Sequence, residues 1–424
     1  MAPRLGLVGR TLGHSHSPAI HALLGASSYE KFEVEPEDLD EFLAHGPWDG
    51  VNVTIPYKAN AARVADERTP QVEALGVANT LVRRADGTIL AANTDVEGFG
   101  WQLEHAYRRE LGCDAREAIG NGKVLVLGSG GAAAAVRQAL AEHTSARVVT
   151  ISRSGTETYN TLAERHADAV AVVNCTPVGT YPACPASPLD DETFAALSGL
   201  RIVLDVVYNP RLTGLCLQAE RTGIAHESGL AMLVAQAAGS ARHFGTAQAD
   251  DAQIASILDE MSWRTGNIVL IGMPGCGKTT TGRALAHACG RPFVDLDDAF
   301  EIEHGIGCAE CITTLGEDRF REMESEVVAT YGKRSGLVIA CGGGVVTRER
   351  NYVPLHQNGT IVHITRDIAQ LDTQGRPLSA TTGVERLAQE RMPLYRAWAD
   401  LTHACSGTPD GDATAILEAM GHAR

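Results

Sequence analysis

Short apolar runs alternate along this chain with longer stretches in which apolar residues recur at helical spacing. The runs predict buried strands and the stretches predict amphipathic helices. Their alternation predicts an α/β protein with mostly parallel sheets. In a first unit, strands are predicted at 4–9, 30–34, 50–55 and 80–84, and a helix opens at Thr94 or Asp95 and reaches about Leu111. A polar loop over 112–122 leads to a second unit. It has strands at 123–127, 147–152, 169–173 and 201–206, and helices at 131–142, about 158–166, 213–222, 229–244 and 251–262. The segment Ser262–Gly266 is a short junction, and a fresh strand starts at Asn267. Beyond it the pattern predicts a helix at 278–289, strands at 292–296, 337–341 and 359–364, a helical stretch at 308–334 and two C-terminal helices.

Two glycine-rich turns follow strands in this pattern. Gly128-Ser129-Gly130-Gly131-Ala132 comes straight after Val124–Leu127, where the positive end of the next helix suits a dinucleotide pyrophosphate. Gly272-Met273-Pro274-Gly275-Cys276-Gly277-Lys278-Thr279 follows Ile268–Ile271 and matches G-x-x-x-x-G-K-T, a nucleoside triphosphate loop. A lone glycine run is weak evidence, but strand and helix on either side strengthen both. In the second turn, Gly275, Cys276, Gly277, Lys278, Thr279 and Thr280 are the predicted phosphate-binding residues. Lys278 would reach the β- and γ-phosphates and Thr279 would ligate Mg²⁺.

Composition changes this picture little. The chain has 424 residues, enough for two or three domains, and 44% of them are hydrophobic. A formal charge of −16 argues against a nucleic-acid partner and leaves anionic substrates to local Arg and Lys. Ten scattered cysteines do not make a disulfide framework, and the pair Cys308 and Cys311 reads as reduced thiols in or near a helix. No apolar run has the length of a signal peptide or a membrane span, so a cytosolic protein is expected.

Arg153 stands just after the strand that follows the first turn, where an arginine suits the 2′-phosphate of NADP better than the hydroxyl of NAD. The plainer alternative is a surface arginine in a loop. Upstream, Ser15 and Ser17 flanking His16, then Asn52, Thr54 and Lys58, and the pairs Asn79-Thr80 and Asn93-Thr94 with Asp95 form a polar set with no structural need for its members, although each Asn-Thr pair alone would pass as a turn or helix cap. The runs HSHSPAIH, NVTIPYK, VANT, NTDVEGF, GSGGAA and MLVAQAA resemble shikimate dehydrogenase, in order, over about residues 1–262. The resemblance implies a substrate-binding part of about 1–93 plus closing helices at 229–262, and a Rossmann-type NADP part of about 94–228. It implies that Ser15, Ser17, Thr54, Asn79, Asp95, Tyr208 and Gln236 hold the substrate, that Lys58 and Asp95 form the catalytic pair, and that Gly229 joins the cofactor site. The chain departs from the family in two places. Glu157 stands where a second basic residue is usual, which opposes the 2′-phosphate and leaves open a quinate/shikimate dehydrogenase that uses NAD. The stretch between His21 and Asp49 is short, which puts one helix in question.

The second half carries Asp295 and Asp297, read as two carboxylates on one face at a strand's end, then Phe320-Arg321, Gly342–Gly344, Arg376-Pro377-Leu378 and Glu390–Tyr395. With the P-loop these resemble shikimate kinase over about 266–424. Taken singly, Gly342–Gly344 could be a mere turn, and Arg321 could pair with Glu317 or Glu324 along its helix. The resemblance implies that Asp297 orients or deprotonates the accepting hydroxyl and that Asp295 reaches Mg²⁺ through water. It implies that Arg321, Gly343 and Arg391 bind the acceptor, and that Arg376, from a closing segment at Asp372–Gly383, neutralises the transferring phosphoryl group. The expectation is a bifunctional enzyme using NADP(H), ATP and Mg²⁺ on 3-dehydroshikimate and shikimate. The rival from another class is a sensor built from degenerate domains, against which the intact Lys58, Asp95, Lys278, Thr279 and Asp297 count.

Overall fold

Residues 3–13, 15–371 and 383–422 are described by this computed structural model, and the chain divides into two compact units, Met1–Ser262 and Trp263–Arg424. The first unit holds two sheets. One has the order β2-β1-β3-β5-β6-β4, built from β1 (Leu5–Gly9), β2 (Glu30–Glu33), β3 (Gly50–Val53), β4 (Glu67–Arg68), β5 (Thr80–Arg83) and β6 (Ile89–Ala92). β1 is parallel to β2 and β3, but β5 is antiparallel to both β3 and β6, so this sheet is mixed. The β5–β6 pairing follows from the Ala85-Asp86-Gly87 turn, where Gly87 has φ +88° and Arg84 N donates to Thr88 O at 2.8 Å. So short a connection can only join antiparallel neighbours.

The second sheet is fully parallel, in the order β11-β10-β9-β7-β8: β7 (Lys123–Leu127), β8 (Arg147–Ile151), β9 (Ala169–Asn174), β10 (Ile202–Asp205) and β11 (Ala225–Glu227). Every residue of β7 is buried, which is why Val124–Leu127 is a continuous apolar run, and the buried Lys123 at its start is paired with Asp168. Helices Asp95–Ala106 and Leu230–Phe244 pack on one another at glycines. A Cβ at Gly98 would stand 2.7 Å from Gln236 Cβ and 2.9 Å from Met232 O, and one at Gly239 would stand 2.9 Å from Glu97 Oε2.

The second unit has one parallel sheet in the order β13-β14-β12-β15-β16: β12 (Asn267–Ile271), β13 (Phe293–Asp295), β14 (Val338–Ala340), β15 (Gly359–Thr365) and β16 (Leu401–Ala404). Among the described residues no helix is long and apolar enough to cross a membrane.

Several expectations need correction. The helix in question is present at Leu39–His45, and the 112–122 loop contains a helical turn at Ala115–Ile119. The expected junction is helical, since the helix Asp251–Thr265 runs through Ser262. The helical stretch 308–334 is two helices, Cys308–Leu315 and Glu317–Gly332, broken at Gly316 with φ +87°. A strand, β16, separates the last two helices, whose half-buried alternation is too short to stand out from a polar loop.

Gly98→Ala is expected to destabilise the first unit by about 1–3 kcal/mol, because backbone atoms of the facing helix cannot give way as a flexible side chain can. Urea unfolding of the full chain should then show an earlier transition. An unchanged profile would contradict the close approach.

Candidate active sites

In the first unit a cavity of about 340 Å³ is lined by Ser15, Ser17, Thr54, Lys58, Asn79, Asp95, Tyr208 and Gln236, together with Ala132 and Gly229. Chain geometry explains the gathering. β3 stops at Val53, Thr54 closes a turn with Tyr57, and Lys58 becomes the first residue of the helix Lys58–Val64. Asp95 likewise opens its helix, where a negative charge meets the favourable end of the helix dipole. Lys58 Nζ donates to Asp95 Oδ2 at 2.5 Å, and Asn79 Nδ2 donates to Asp95 Oδ1 at 2.9 Å, so each carboxylate oxygen has its own partner. Asn79 Oδ1 in turn accepts from Thr94 N at 2.8 Å, and Asn93 Oδ1 accepts from Asp95 N at 3.0 Å. The Asn-Thr pairs therefore are turn formers and also hold the site. Ser15 Oγ lies 3.2 Å from Ser17 Oγ, and the Tyr208 ring meets His16 edge-on.

Ser240, behind these residues, was not singled out from sequence. Buried Ser240 lies 2.7 Å from Asn52 Nδ2, 2.8 Å from Thr80 Oγ1 and 3.1 Å from Thr94 Oγ1, and donates to Gln236 O. The available signal was its place one helical turn after Gln236. Sequence offers no sign of partners 146 to 188 residues away.

Gly128 has φ +106°, a conformation that side chains disfavour, and Gly130 caps the helix Gly131–His143. A Cβ at Gly130 or Gly131 would meet nothing within 4 Å, so glycine there leaves the backbone open to a ligand. Gly128, Ser129, Gly130 and Gly131 are not in the lining of the substrate cavity, and Gly229 is required for another reason, a Cβ there standing 2.2 Å from Val206 O. Arg153 is exposed in the bend after β8. Glu157 was expected to oppose a 2′-phosphate, but its carboxylate is turned to Arg165 at 3.1 Å and His166 at 3.3 Å.

In the second unit a cavity of about 410 Å³ is lined by Gly275, Gly277, Lys278, Thr279, Thr280, Asp295, Asp297, Arg321, Gly343 and Arg391. Of the P-loop residues named from sequence, Cys276 is buried beneath the loop and does not line it. Arg376 lies outside the described residues. Lys278 Nζ donates to Gly272 O at 2.9 Å and Met273 O at 3.0 Å. Asp295 and Asp297 do not share a strand face. Asp295 ends β13 and caps the next helix, its Oδ1 accepting from Asp297 N at 3.0 Å and its Oδ2 from Thr279 Oγ1 at 2.7 Å. Asp297 sits in that helix's first turn, and burial, reinforced by the charge of Asp295, raises its carboxyl above the ordinary aspartate range.

Arg321 satisfies both readings of it. It pairs with Glu324 at 2.8 Å and Glu317 at 3.2 Å, and still lines the cavity. Buried Glu324 keeps one oxygen without a partner, and desolvation raises its carboxyl too. Gly342–Gly344 is no ordinary turn. A Cβ at Gly344 would stand 2.0 Å from Arg321 Nη2, one at Gly343 2.7 Å from Pro274, and one at Gly342 2.9 Å from Asp297 Oδ1. Gly343 O accepts from Arg391 Nη1 at 3.1 Å and from the Tyr395 hydroxyl. Cys308 and Cys311 are both free thiols on the helix Cys308–Leu315, and Cys308 lines the cavity, which its sequence context did not signal.

Thr279 and Asp295 fit a Mg²⁺ ion held mainly by phosphate and water, which needs only one or two protein oxygens. The open amides after Gly128 likewise fit a pyrophosphate.

A family model described as shikimate dehydrogenase substrate binding domain matches residues 7–81, and one described as shikimate kinase matches 274–421. Over 258 residues, 55% of the chain, the sequence is 37% identical to a shikimate dehydrogenase (NADP(+)) of Methylobacterium radiotolerans, covering 88% of it. Over 178 residues, 39% of the chain, it is 40% identical to a shikimate kinase of a Synechococcus species, covering 91% of it. Among solved structures, a chorismate mutase/shikimate 5-dehydrogenase fusion protein from Clostridium acetobutylicum shares 33% identity with a TM-score of 0.53, spanning 62% of this chain and 97% of that one. A quinate dehydrogenase from Corynebacterium glutamicum in complex with NAD shares 26% with a TM-score of 0.52, spanning 61% of this chain and 99% of that one.

Proposed function

The chain belongs to the shikimate dehydrogenase family through its first unit and to the shikimate kinase family through its second, and on that premise we propose that it reduces 3-dehydroshikimate with NADPH and phosphorylates the resulting shikimate with ATP. It is an enzyme of both kinds, and shikimate joins them, as product of one and acceptor of the other. The observation that carries the proposal is the Lys58–Asp95 pair facing one cavity and Asp297 with Arg321 and Arg391 facing another. We place both reactions in the cytosol.

In the first unit, bound NADPH supplies the hydride. Reduction builds negative charge on the carbonyl oxygen, which needs a cation or proton donor in a fixed place. Lys58 Nζ provides it, and Asp95 holds that ammonium while Asn79 fixes the carboxylate. Ser15 and Ser17 are suited to the substrate carboxylate, and Gln236 and Tyr208 to its hydroxyls. Arg153 selects the 2′-phosphate, and the pairing of Glu157 with Arg165 and His166 offsets the adverse charge that favoured an NAD-dependent reading.

In the second unit, Arg321 and Arg391 take the acceptor carboxylate. Asp297 accepts the proton of the attacking hydroxyl, and Lys278 moves from its loop carbonyls to the phosphates. Bound Mg²⁺ would neutralise phosphate charge beside Thr279 and Asp295.

A single mixture of dehydroshikimate, NADPH and Mg-ATP should show both absorbance loss and ADP release. Lys58→Ala is expected to abolish the first while added shikimate is still phosphorylated, and Lys278→Ala to do the reverse. Normal NADPH oxidation by the Lys58 variant would overturn that assignment.

Arg153→Ala should raise the KM for NADPH about 10- to 100-fold, since a charge-assisted contact contributes about 1.5–3 kcal/mol, and should barely change that for NADH. Equal effects would mean that Arg153 does not read the phosphate.

Protonated Asp297 cannot accept a proton, so kinase kcat/KM should fall as pH drops through its raised pKa. The acid limb should therefore lie above the ordinary aspartate range. A profile flat down to that range would refute Asp297 as the acceptor.

A further inference from the structure

One cation in the kinase cavity has no assigned role. Arg366 follows directly on β15, which lies parallel beside β12 with His363 paired to Ile271. That register brings Arg366 out of the sheet level with the start of the P-loop, at the carboxyl ends of the strands, where open α/β sheets bind ligands. The backbones are pressed together here: a Cβ at Gly272 would stand 2.3 Å from Ile364 O. Arg366 lines the same cavity as Gly277, Lys278 and Thr279, and its Nη2 lies 3.7 Å from where a Cβ on Gly277 would be.

The other described arginines of the cavity are engaged. Arg321 is paired with two glutamates, and Arg391 donates to Gly343 O. Arg366 is half-buried, and its guanidinium makes no hydrogen bond or ion pair with another described residue. A partly desolvated guanidinium with no counter-ion among the described residues is unfavourable until an anion arrives, and its planar fork suits phosphate oxygens. The chain's charge of −16 makes such a cation at this place a local device for anions.

We propose that Arg366 is a further nucleotide-binding residue, contacting the phosphates of the bound nucleoside polyphosphate from the Gly277 side of the loop. The proposal rests on the kinase reading and adds to it a contact outside the P-loop motif. A hydroxyl or methyl at this position could not replace it, because the interaction is with charge.

Calorimetric titration of the full chain with ADP, adenosine and shikimate tests it. Arg366→Gln should weaken ADP about 10- to 100-fold, in line with a charge-assisted contact, and leave adenosine and shikimate unchanged. Shikimate binding doubles as the control for folding. Arg366→Lys, which keeps the charge without the fork, should fall between and serves as the reading if the glutamine variant does not fold. Unchanged ADP affinity overturns the proposal, and so does an equal loss for ADP and adenosine, which would put the guanidinium on the base. A wild-type chain that binds neither ADP nor shikimate would instead overturn the kinase reading itself.

Discussion

The contact between helices Asp95–Ala106 and Leu230–Phe244 holds the first active site together. One helix begins with Asp95 and the other carries Gln236 and Ser240, so the spacing between the two sets the geometry of the polar network. Gly98 sets that spacing, because a Cβ there would strike backbone atoms of the facing helix, and a Cβ at Gly239 would crowd Glu97 and Thr94. Segments brought this near can share hydrogen bonds between short side chains, as Asn79 does with Thr94 and Thr94 with Ser240. The Lys58–Asp95 pair depends on this arrangement. A buried carboxylate is tolerable only when its oxygens are satisfied, and Asn79 and Lys58 satisfy one each.

The second unit uses the same device with a loop in place of a helix. Gly342–Gly344 admits Asp297, Pro274 and the Arg321 guanidinium against bare backbone. Its middle carbonyl then anchors Arg391 and Tyr395. Both sites therefore combine absent side chains with buried charge, and each absence makes room for a particular polar group. Cations are placed singly in an acidic chain, so the cavities hold particular arginines and lysines rather than a diffuse basic field.

What could be read from the sequence follows from short-range physics. The strands β7 and β12, the turns after them and the helices opened by Asp95 and Lys278 are set by local periodicity and glycine conformation, and they were legible. The sequence also pointed to Lys58, Asp95, Asp297 and Arg321, and the structure sets the first two on one cavity and the last two on another. Less legible were β4, β11 and β16, short strands with no apolar run of their own that are strands because they pair with β6, β10 and β15.

Tertiary structure alone decided the rest. It turned the Glu157 carboxylate toward Arg165 and His166, partners that its place in the loop did not announce. It separated Asp295 from Asp297 by making one a helix cap. It brought Ser240 to Asn52 across 188 residues, and Arg366 to the P-loop through the register of β15 on β12. The sequence by itself determined which chemical groups are present and which local elements carry them. Direction and partner of each side chain depend on contacts between distant segments, whose energies no local pattern encodes.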